Sequence, residues 1–203
     1  MILLYVETNY ILELAFAQEQ SESCQRLLEI SEQGNSRLVI PAFGIGECFE
    51  TLVRRSKKRK QLANTVSMEL REISRSLSYR SEAVALDSIT RLLIQSLEDD
   101  KRRLDETLSR VLAIAEIIPL SNDVVTKAVR HRELFGFGYQ DSLVYSSVMA
   151  HLELEASVQS CFVNRNSKDF DDPDIVEKLE SKNCKMLFSF ERGSEYVSGL
   201  LRM

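Results

Sequence analysis

Residues 2–9 read ILLYVETN, five consecutive apolar residues followed by an acid, a hydroxyl and an amide side chain. A short apolar run without polar alternation is typical of a strand that is buried on both faces, as in a parallel sheet covered by helices. The segment does not resemble a secretion signal, because it lacks a basic start and soon reaches Glu7. We therefore predict a buried strand at Ile2–Val6, with Glu7 directly after its carboxyl end.

Four further short apolar runs follow along the chain, and segments with helical periodicity separate them. These predicted strands are Arg37–Ile40, Ile117–Leu120, Val158–Val163 and Lys185–Phe188. Alternating strands and helices indicate right-handed βαβ units and a parallel sheet covered on both faces. The predicted fold class is therefore α/β, a three-layer α/β/α sandwich with a mainly parallel sheet of about five strands.

The segment between the second and third predicted strands, from Phe43 to Glu116, is long, helical in composition and free of proline. Apolar residues recur in it at three- and four-residue steps, an amphipathic pattern seen at Leu62, Val66, Leu70, Ile73 and Leu77. We expect several helices here, inserted as a helical arm or lid. Because no repeat, low-complexity tract or flexible linker divides the chain, we predict one domain over residues 1–203 with a helical insertion at about 56–115.

The composition of the chain narrows the classes of function. The chain has 203 residues, a net charge of −5, four cysteines without a CxxC pair and two histidines. This usage argues against a zinc site, a disulfide framework or a histidine-driven nucleophile, and it favours a cytoplasmic protein with reduced thiols. No apolar run approaches the roughly 18 residues of a membrane span, so no membrane association is expected.

Positive charge is concentrated in one place despite the acidic total. Six cations fall within seven positions, namely Arg54, Arg55, Lys57, Lys58, Arg59 and Lys60. Such a stripe could neutralise nucleic-acid phosphates independently of sequence, and it could equally be a solvated helix face. No aromatic residues interleave with the stripe for base stacking, so sequence-specific recognition is not predicted.

Four acids follow predicted strands or begin predicted helices: Glu7, Glu47, Asp141 and Asp169. Each has an ordinary alternative role at a helix N-terminus or in a turn, and helix starts are indeed predicted at Ser121 and at Asp141-Ser142. In open α/β sheets, however, ligands bind at the carboxyl ends of the strands, so the four acids should converge on one rim. Converging carboxylates repel one another unless a divalent cation neutralises them. Mg²⁺ and Mn²⁺ prefer oxygen ligands and can activate water for phosphate chemistry.

Four segments of the sequence resemble the PIN-domain family, the VapC-like ribonuclease superfamily. Val6–Asn9 looks like the DTN opening of that family, Pro41–Glu47 like its strand-to-helix segment with a Glu, Gly138–Tyr145 like its third acid, and Val163–Phe170 like its TRNxxDF strand end. The resemblance covers roughly residues 1–55 and 115–190 and does not extend to the helical middle, which is longer than in compact VapC-type toxins.

The resemblance implies a Mg²⁺- or Mn²⁺-dependent endoribonuclease that hydrolyses RNA phosphodiester bonds with a metal-activated water. The implied metal ligands and catalytic residues are Glu7, Glu47, Asp141 and Asp169, with Thr8, Asn9 and Asn166 in supporting positions. Two positions depart from the family pattern. Relatives usually carry Asp at the position of Glu7, and many carry Asp at the position of Asn166. These departures bear on activity more than on the fold.

The resemblance also implies partners. RNA is the expected substrate, and a protein inhibitor or antitoxin-like partner and a homodimer are further expectations.

The main competing hypothesis is a catalytically degenerate PIN-like scaffold that binds RNA or protein, which Glu7, Asn166 and the long insertion would support. A structure-specific DNA nuclease with the same acids is another alternative. Metal binding separates enzyme from scaffold, because a scaffold need not hold Mn²⁺.

Overall fold

The centre of the protein is a parallel β-sheet, seen in a computed structural model that describes residues 1–155 and 158–202. Its five strands in this part of the chain are β1 (Ile2–Val6), β2 (Ser36–Pro41), β3 (Glu116–Ile118), β4 (Ser160–Val163) and β5 (Cys184–Leu187). They are ordered β3-β2-β1-β4-β5, and every neighbouring pair is parallel. The predicted α/β/α fold with a five-stranded parallel sheet is therefore confirmed.

The central strand is β1, and all five of its residues are buried, as its continuous apolar run predicted. The other strands lie within a few residues of their predicted positions, and pairing with neighbours decides where they begin and end. Ser36 belongs to β2 because it pairs with Ile2, and β4 begins only at Ser160, which pairs with Leu3. Apolar content locates a strand, but the hydrogen-bonded ladder sets its bounds.

Helices flank the sheet. In the described residues they are α1 (Thr8–Ala15), α2 (Ser21–Glu32), α3 (Ala42–Ile73), α4 (Arg80–Ile114), α5 (Asn122–Phe135), α6 (Tyr139–Leu154), α7 (Ser167–Phe170), α8 (Pro173–Glu180) and α9 (Phe190–Leu200). The most deeply buried of the long helices is α6, which contributes Tyr145, Val148 and Leu152 to the hydrophobic core. This buried part of the helix follows a more exposed first turn, which carries Asp141.

Two helix starts were predicted, and they have different outcomes. The start at Ser121 is confirmed, because the Ser121 hydroxyl accepts a hydrogen bond from the backbone N–H of Val124 at 3.2 Å. The start at Asp141-Ser142 is wrong. The helix begins at Tyr139 after Gly138, and the Ser142 hydroxyl donates back to the Tyr139 carbonyl at 2.8 Å instead of capping the helix. Asp141 therefore lies in the first turn of α6.

The chain divides into two compact units, one formed by Met1–Cys48 with Glu106–Met203 and the other by Phe49–Asp105. The second unit contains most of α3 and much of α4, two continuous helices where several were expected. Neither Gly nor Pro occurs between residues 49 and 105, so the segment forms two long helices with a single break at residues 74–79. The prediction of one domain over residues 1–203 stays a prediction.

The periodic apolar residues of α3 predicted a helix correctly, but most of that apolar face is not buried. Leu62 is 48% exposed and Ile73 is 44% exposed, whereas the small Ala63 is buried. Arg59 also faces α4, where its guanidinium forms an ion pair with Asp100 at 2.8 Å. Small and charged residues thus take inner positions that the periodicity alone would assign to leucine and isoleucine.

All four cysteines are buried and none forms a disulfide. Within the described part of the chain, no helix is long and apolar enough to cross a membrane.

Candidate active site

The strand order reverses at β1, because the chain runs from β1 to β2 and β3 on one side and then returns to β4 and β5 on the other. In open α/β sheets, ligands bind at the carboxyl ends of the strands beside such a reversal. Glu7 follows β1 and Asn166 follows β4 at this edge. Glu47 and Asp141 lie near enough to Glu7 to raise its pKa, so the fold brings three of the four predicted acids together.

Glu7 is the most deeply buried acid of this group. Its side chain is 7% exposed, and its buried Oε1 has no hydrogen-bond partner. The pKa of Glu7 is raised from 4.5 to about 7, mainly by burial and in smaller part by the charges of Glu47 and Asp141, although the amide groups of Asn9 act in the opposite direction. The Glu7 carboxyl group is therefore poised between its neutral and charged forms at neutral pH unless a positive charge compensates it.

Glu47 is held by a side chain from the first turn of α1. The Thr8 hydroxyl donates a hydrogen bond to Glu47 Oε2 at 2.5 Å. The two helix starts can approach this closely because of Gly44, where a Cβ atom would lie 3.2 Å from both the amide nitrogen and the hydroxyl of Thr8. Sequence reasoning did not assign Gly44 a role, although a glycine one turn before a candidate acid was a visible signal.

Asp141 is half-buried in the first turn of α6 and is held by Asn166. The Asn166 side-chain amide donates to Asp141 Oδ1 at 3.0 Å. Burial raises the pKa of Asp141, and the charge of Asp169 raises it further, while the hydrogen bond from Asn166 lowers it in part. Space here is limited, since a Cβ on Gly138 would lie 3.0 Å from Asp141 Oδ2. Asn166 thus orients an acid of the site directly.

The fourth predicted acid, Asp169, lies at the margin of the group. It is exposed on the short helix α7 and is near enough to affect the pKa of Asp141, but it is not among the groups that shift the pKa of Glu7.

The structure adds one residue without a predicted role, Asn164, which is 1% exposed and accepts a hydrogen bond from the Asn166 backbone N–H at 2.7 Å. No local signal identified it, because asparagine after a strand usually indicates an exposed turn.

A family model for the PIN domain matches residues 4–170, which is most of the chain and includes all four predicted acids. The chain belongs to the PIN domain family. PIN domains are generally ribonucleases and typically use divalent metals, so the family is one of nucleases.

A comparison with solved structures found a similar crystal structure. The crystal structure of VapBC2 from Rickettsia felis, bound to a DNA fragment from its promoter, is similar with a TM-score of 0.46 and 17% sequence identity. The similarity covers 91% of this chain and 97% of that one. No curated protein sequence matches the chain.

The acids around Glu7 supply the oxygen donors that a divalent cation prefers. Among the described residues, no three His, Cys, Asp or Glu side chains form a ready-made cluster that could hold a metal ion. Mg²⁺, however, is usually bound through one or two carboxylates and keeps several waters. A buried carboxylate without a partner is costly unless a positive charge compensates it, and Glu7 Oε1 is such a group beside two further acids.

The six cations of the basic stripe do not have equal surroundings in the PIN domain. Arg59 is engaged by Asp100, and burial lowers the pKa of the half-buried Arg55. The remaining four, Arg54, Lys57, Lys58 and Lys60, are exposed. Two of the six predicted nucleic-acid contacts therefore face the interior of the second unit, and four remain available on its surface.

Proposed function

We propose that this PIN domain is a Mg²⁺- or Mn²⁺-dependent endoribonuclease that hydrolyses RNA phosphodiester bonds. The buried carboxyl group of Glu7 carries the proposal, because its Oε1 has no partner and lies near the acids Glu47 and Asp141. Such an arrangement destabilises the metal-free fold and adds nothing to a binding surface. A catalytically degenerate scaffold is for this reason not favoured.

In the proposed enzyme, Glu7, Glu47 and Asp141 would surround the metal, some as direct ligands and the others through its bound waters, and Asp169 would complete the site from its margin. The bound metal supplies an activated water and stabilises negative charge on the phosphodiester. Thr8 orients Oε2 of Glu47, and Asn166 orients Oδ1 of Asp141. The amide groups of Asn9 favour the charged form of Glu7 that a metal ligand requires. Glu7, Glu47 and Asp141 thus each have a neighbour that prepares the carboxylate for a cation.

The first test is Mn²⁺-dependent cleavage of labelled single-stranded and hairpin RNAs by the wild type and by Glu47→Gln. We expect cleavage to require the metal and to fall by at least about 100-fold in the variant, because one ligand charge is lost while the amide oxygen can still accept the Thr8 hydrogen bond. The matched control is Glu50→Gln, an exposed glutamate on the same helix, which should cleave like the wild type.

Three outcomes would contradict the proposal. Cleavage by Glu47→Gln at the wild-type rate would exclude the assigned site. A wild type that cleaves no RNA and binds no Mn²⁺ in an isothermal titration would favour the scaffold, and cleavage of DNA alone would favour a structure-specific DNA nuclease.

The exposed part of the basic stripe is expected to bind RNA phosphates. Because Lys57 and Lys58 are exposed, the double variant Lys57→Ala/Lys58→Ala should weaken RNA binding and should reduce the slope of log K against log[salt] by about 1.4, the contribution of two phosphate contacts on single-stranded RNA. Fluorescence anisotropy across a salt series measures both quantities. The charge-matched control Arg130→Ala/Arg192→Ala should leave the slope unchanged, and an equal change in both variants would show a non-specific charge effect.

Four points remain predictions from the sequence: RNA as the substrate, the protein inhibitor or antitoxin-like partner, the homodimer and the cytoplasmic location.

A further inference from the structure

The loop after β4, residues 164–166, carries Asn166 and so controls how Asp141 is held. Two hydrogen bonds shape this loop, one to β5 and one within the loop itself. The backbone N–H of Asn164 donates to the Leu187 carbonyl at 2.9 Å, and the Asn164 side-chain oxygen accepts from the backbone N–H of Asn166 at 2.7 Å. These bonds bend the loop, but neither of them connects it to α1 or to the turn that follows α1.

The anchor is Arg165, which lies between the two asparagines and pairs with acids of a different part of the chain. Its guanidinium forms ion pairs with Glu13 of α1 and, at 3.2 Å, with Glu19 of the following turn. Glu13 is 1% exposed, and its second oxygen accepts from the backbone N–H of Gln20 at 2.8 Å. Both oxygens of a fully buried carboxylate are therefore used, and one of them is used by Arg165.

The same connection extends to α9. The Gln20 side-chain oxygen accepts a hydrogen bond from the backbone N–H of Phe190 at 2.7 Å. Glu19 and Gln20 reach these positions because the turn before them places Ala17 in the left-handed region, at φ 48°, which a residue other than glycine adopts at an energetic cost. Arg165 is thus bound to a network of α1, the turn after it and α9.

Arg165 is not suited to bind a phosphate. Its single positive charge already faces the two carboxylates of Glu13 and Glu19, so the local net charge is negative and would repel an anion. Gln18 and Glu19, which line the surface depression beside it, provide no further cation. The role of Arg165 must therefore be sought in the loop that it holds.

We propose that Glu13 and Arg165 are positioning residues of the nuclease, which fix the loop at residues 164–166 so that Asn166 meets and orients Asp141. The inference rests on the proposed function for its effect on catalysis. Its structural part, the placement of Asn166 against Asp141, can be tested without any activity.

The test uses Arg165→Lys, which keeps a positive charge for the buried Glu13 but replaces the planar guanidinium that holds the loop against it with a flexible ammonium group. We expect kcat for RNA to fall about 10-fold with little change in KM, because the orientation of a candidate metal ligand is loosened. In the metal-free protein, the Asn166 side-chain amide signals of a ¹H–¹⁵N spectrum should shift, and the same pair should shift in Asp141→Asn. Arg165→Gln serves as the stronger variant, with thermal unfolding to show that each protein is folded.

The control is Glu19→Gln, which removes only the exposed partner of Arg165 and should keep kcat within about two-fold of the wild type. Wild-type kcat together with unmoved Asn166 signals in Arg165→Lys would overturn the proposal. A higher KM with unchanged kcat would also overturn it, because Arg165 would then contact RNA. If the wild type cleaves no RNA, the proposed function fails, whereas a shifted Asn166 amide pair in Arg165→Lys still supports the positioning role and an unmoved pair overturns it.

Discussion

Asp141→Asn is expected to abolish RNA cleavage while the protein remains folded. The variant removes one charge from the group formed with Glu7 and Glu47, and kcat should fall by about 100- to 1000-fold or more, the loss typical of removing one electrostatic group from an active site. The fold should survive, because the new amide oxygen can still accept the hydrogen bond from Asn166. Single-turnover cleavage of a labelled RNA measures the first effect, and thermal unfolding measures the second.

A matched control separates this chemistry from the ordinary role of an acid in the first turn of a helix. Asp174 occupies that position in α8 and is exposed. Its replacement by Asn should cost at most about 1 kcal/mol of stability through the helix dipole and should leave cleavage unchanged. Full activity in Asp141→Asn, or an equal loss in Asp174→Asn, would remove Asp141 from the proposed mechanism.

Glu7→Gln is expected to inactivate the enzyme and, at the same time, to stabilise the metal-free protein at alkaline pH. The pKa of Glu7 is about 7 in the folded protein and 4.5 in its ordinary state, so folding favours the protonated form. Below pH 4.5 the carboxyl group is neutral in both states and carries no penalty. Between pH 4.5 and 7 the carboxyl group ionises in the unfolded protein while it stays protonated in the folded one, so stability falls, and above pH 7 the loss is complete because both states are charged.

Because glutamine stays neutral, the difference between variant and wild type should be small at pH 5 and should reach roughly 2–3 kcal/mol in favour of the variant at pH 8. Urea unfolding in the presence of a chelator at both pH values measures this difference. Mn²⁺ should then stabilise the wild type and not the variant. The control Glu22→Gln changes an exposed acid in the first turn of α2 and should show neither effect. A variant no more stable than the wild type at pH 8 would mean that the charge of Glu7 is already compensated.

Much of the fold was predictable because its signals are local. A run such as Ile2–Val6 cannot be solvated on either face, so it must lie inside a sheet, and the alternation of such runs with helical segments leaves few topologies. The same reasoning placed Glu7 at a strand end and Glu47 and Asp141 near helix starts. Their encounter at one edge followed from the parallel direction of the strands.

The errors of prediction arise where a pattern has more than one physical cause. The Leu62–Ile73 periodicity identifies a helix, but periodicity does not state which face is covered, and these residues remain about half-exposed. The start of α6 at Tyr139 was missed because Asp141-Ser142 also has the composition of a helix cap, while Gly138 supplies the extended residue before the helix. In both cases the local sequence is compatible with the predicted and with the observed structure, and tertiary contacts decide between them.

The sequence by itself was enough to predict the parallel sheet, the resemblance to the PIN-domain family and the acids at the carboxyl edge of the sheet. The burial of a short apolar run and the position of a strand end depend on neighbouring residues, so a local pattern is enough to predict them. Only the tertiary structure decided which polar groups meet. Arg59 of the basic stripe forms an ion pair with Asp100. Arg165 forms an ion pair with Glu13, which lies 152 positions earlier in the chain. A buried charge requires a partner, but nothing in the local sequence states which distant residue will supply it.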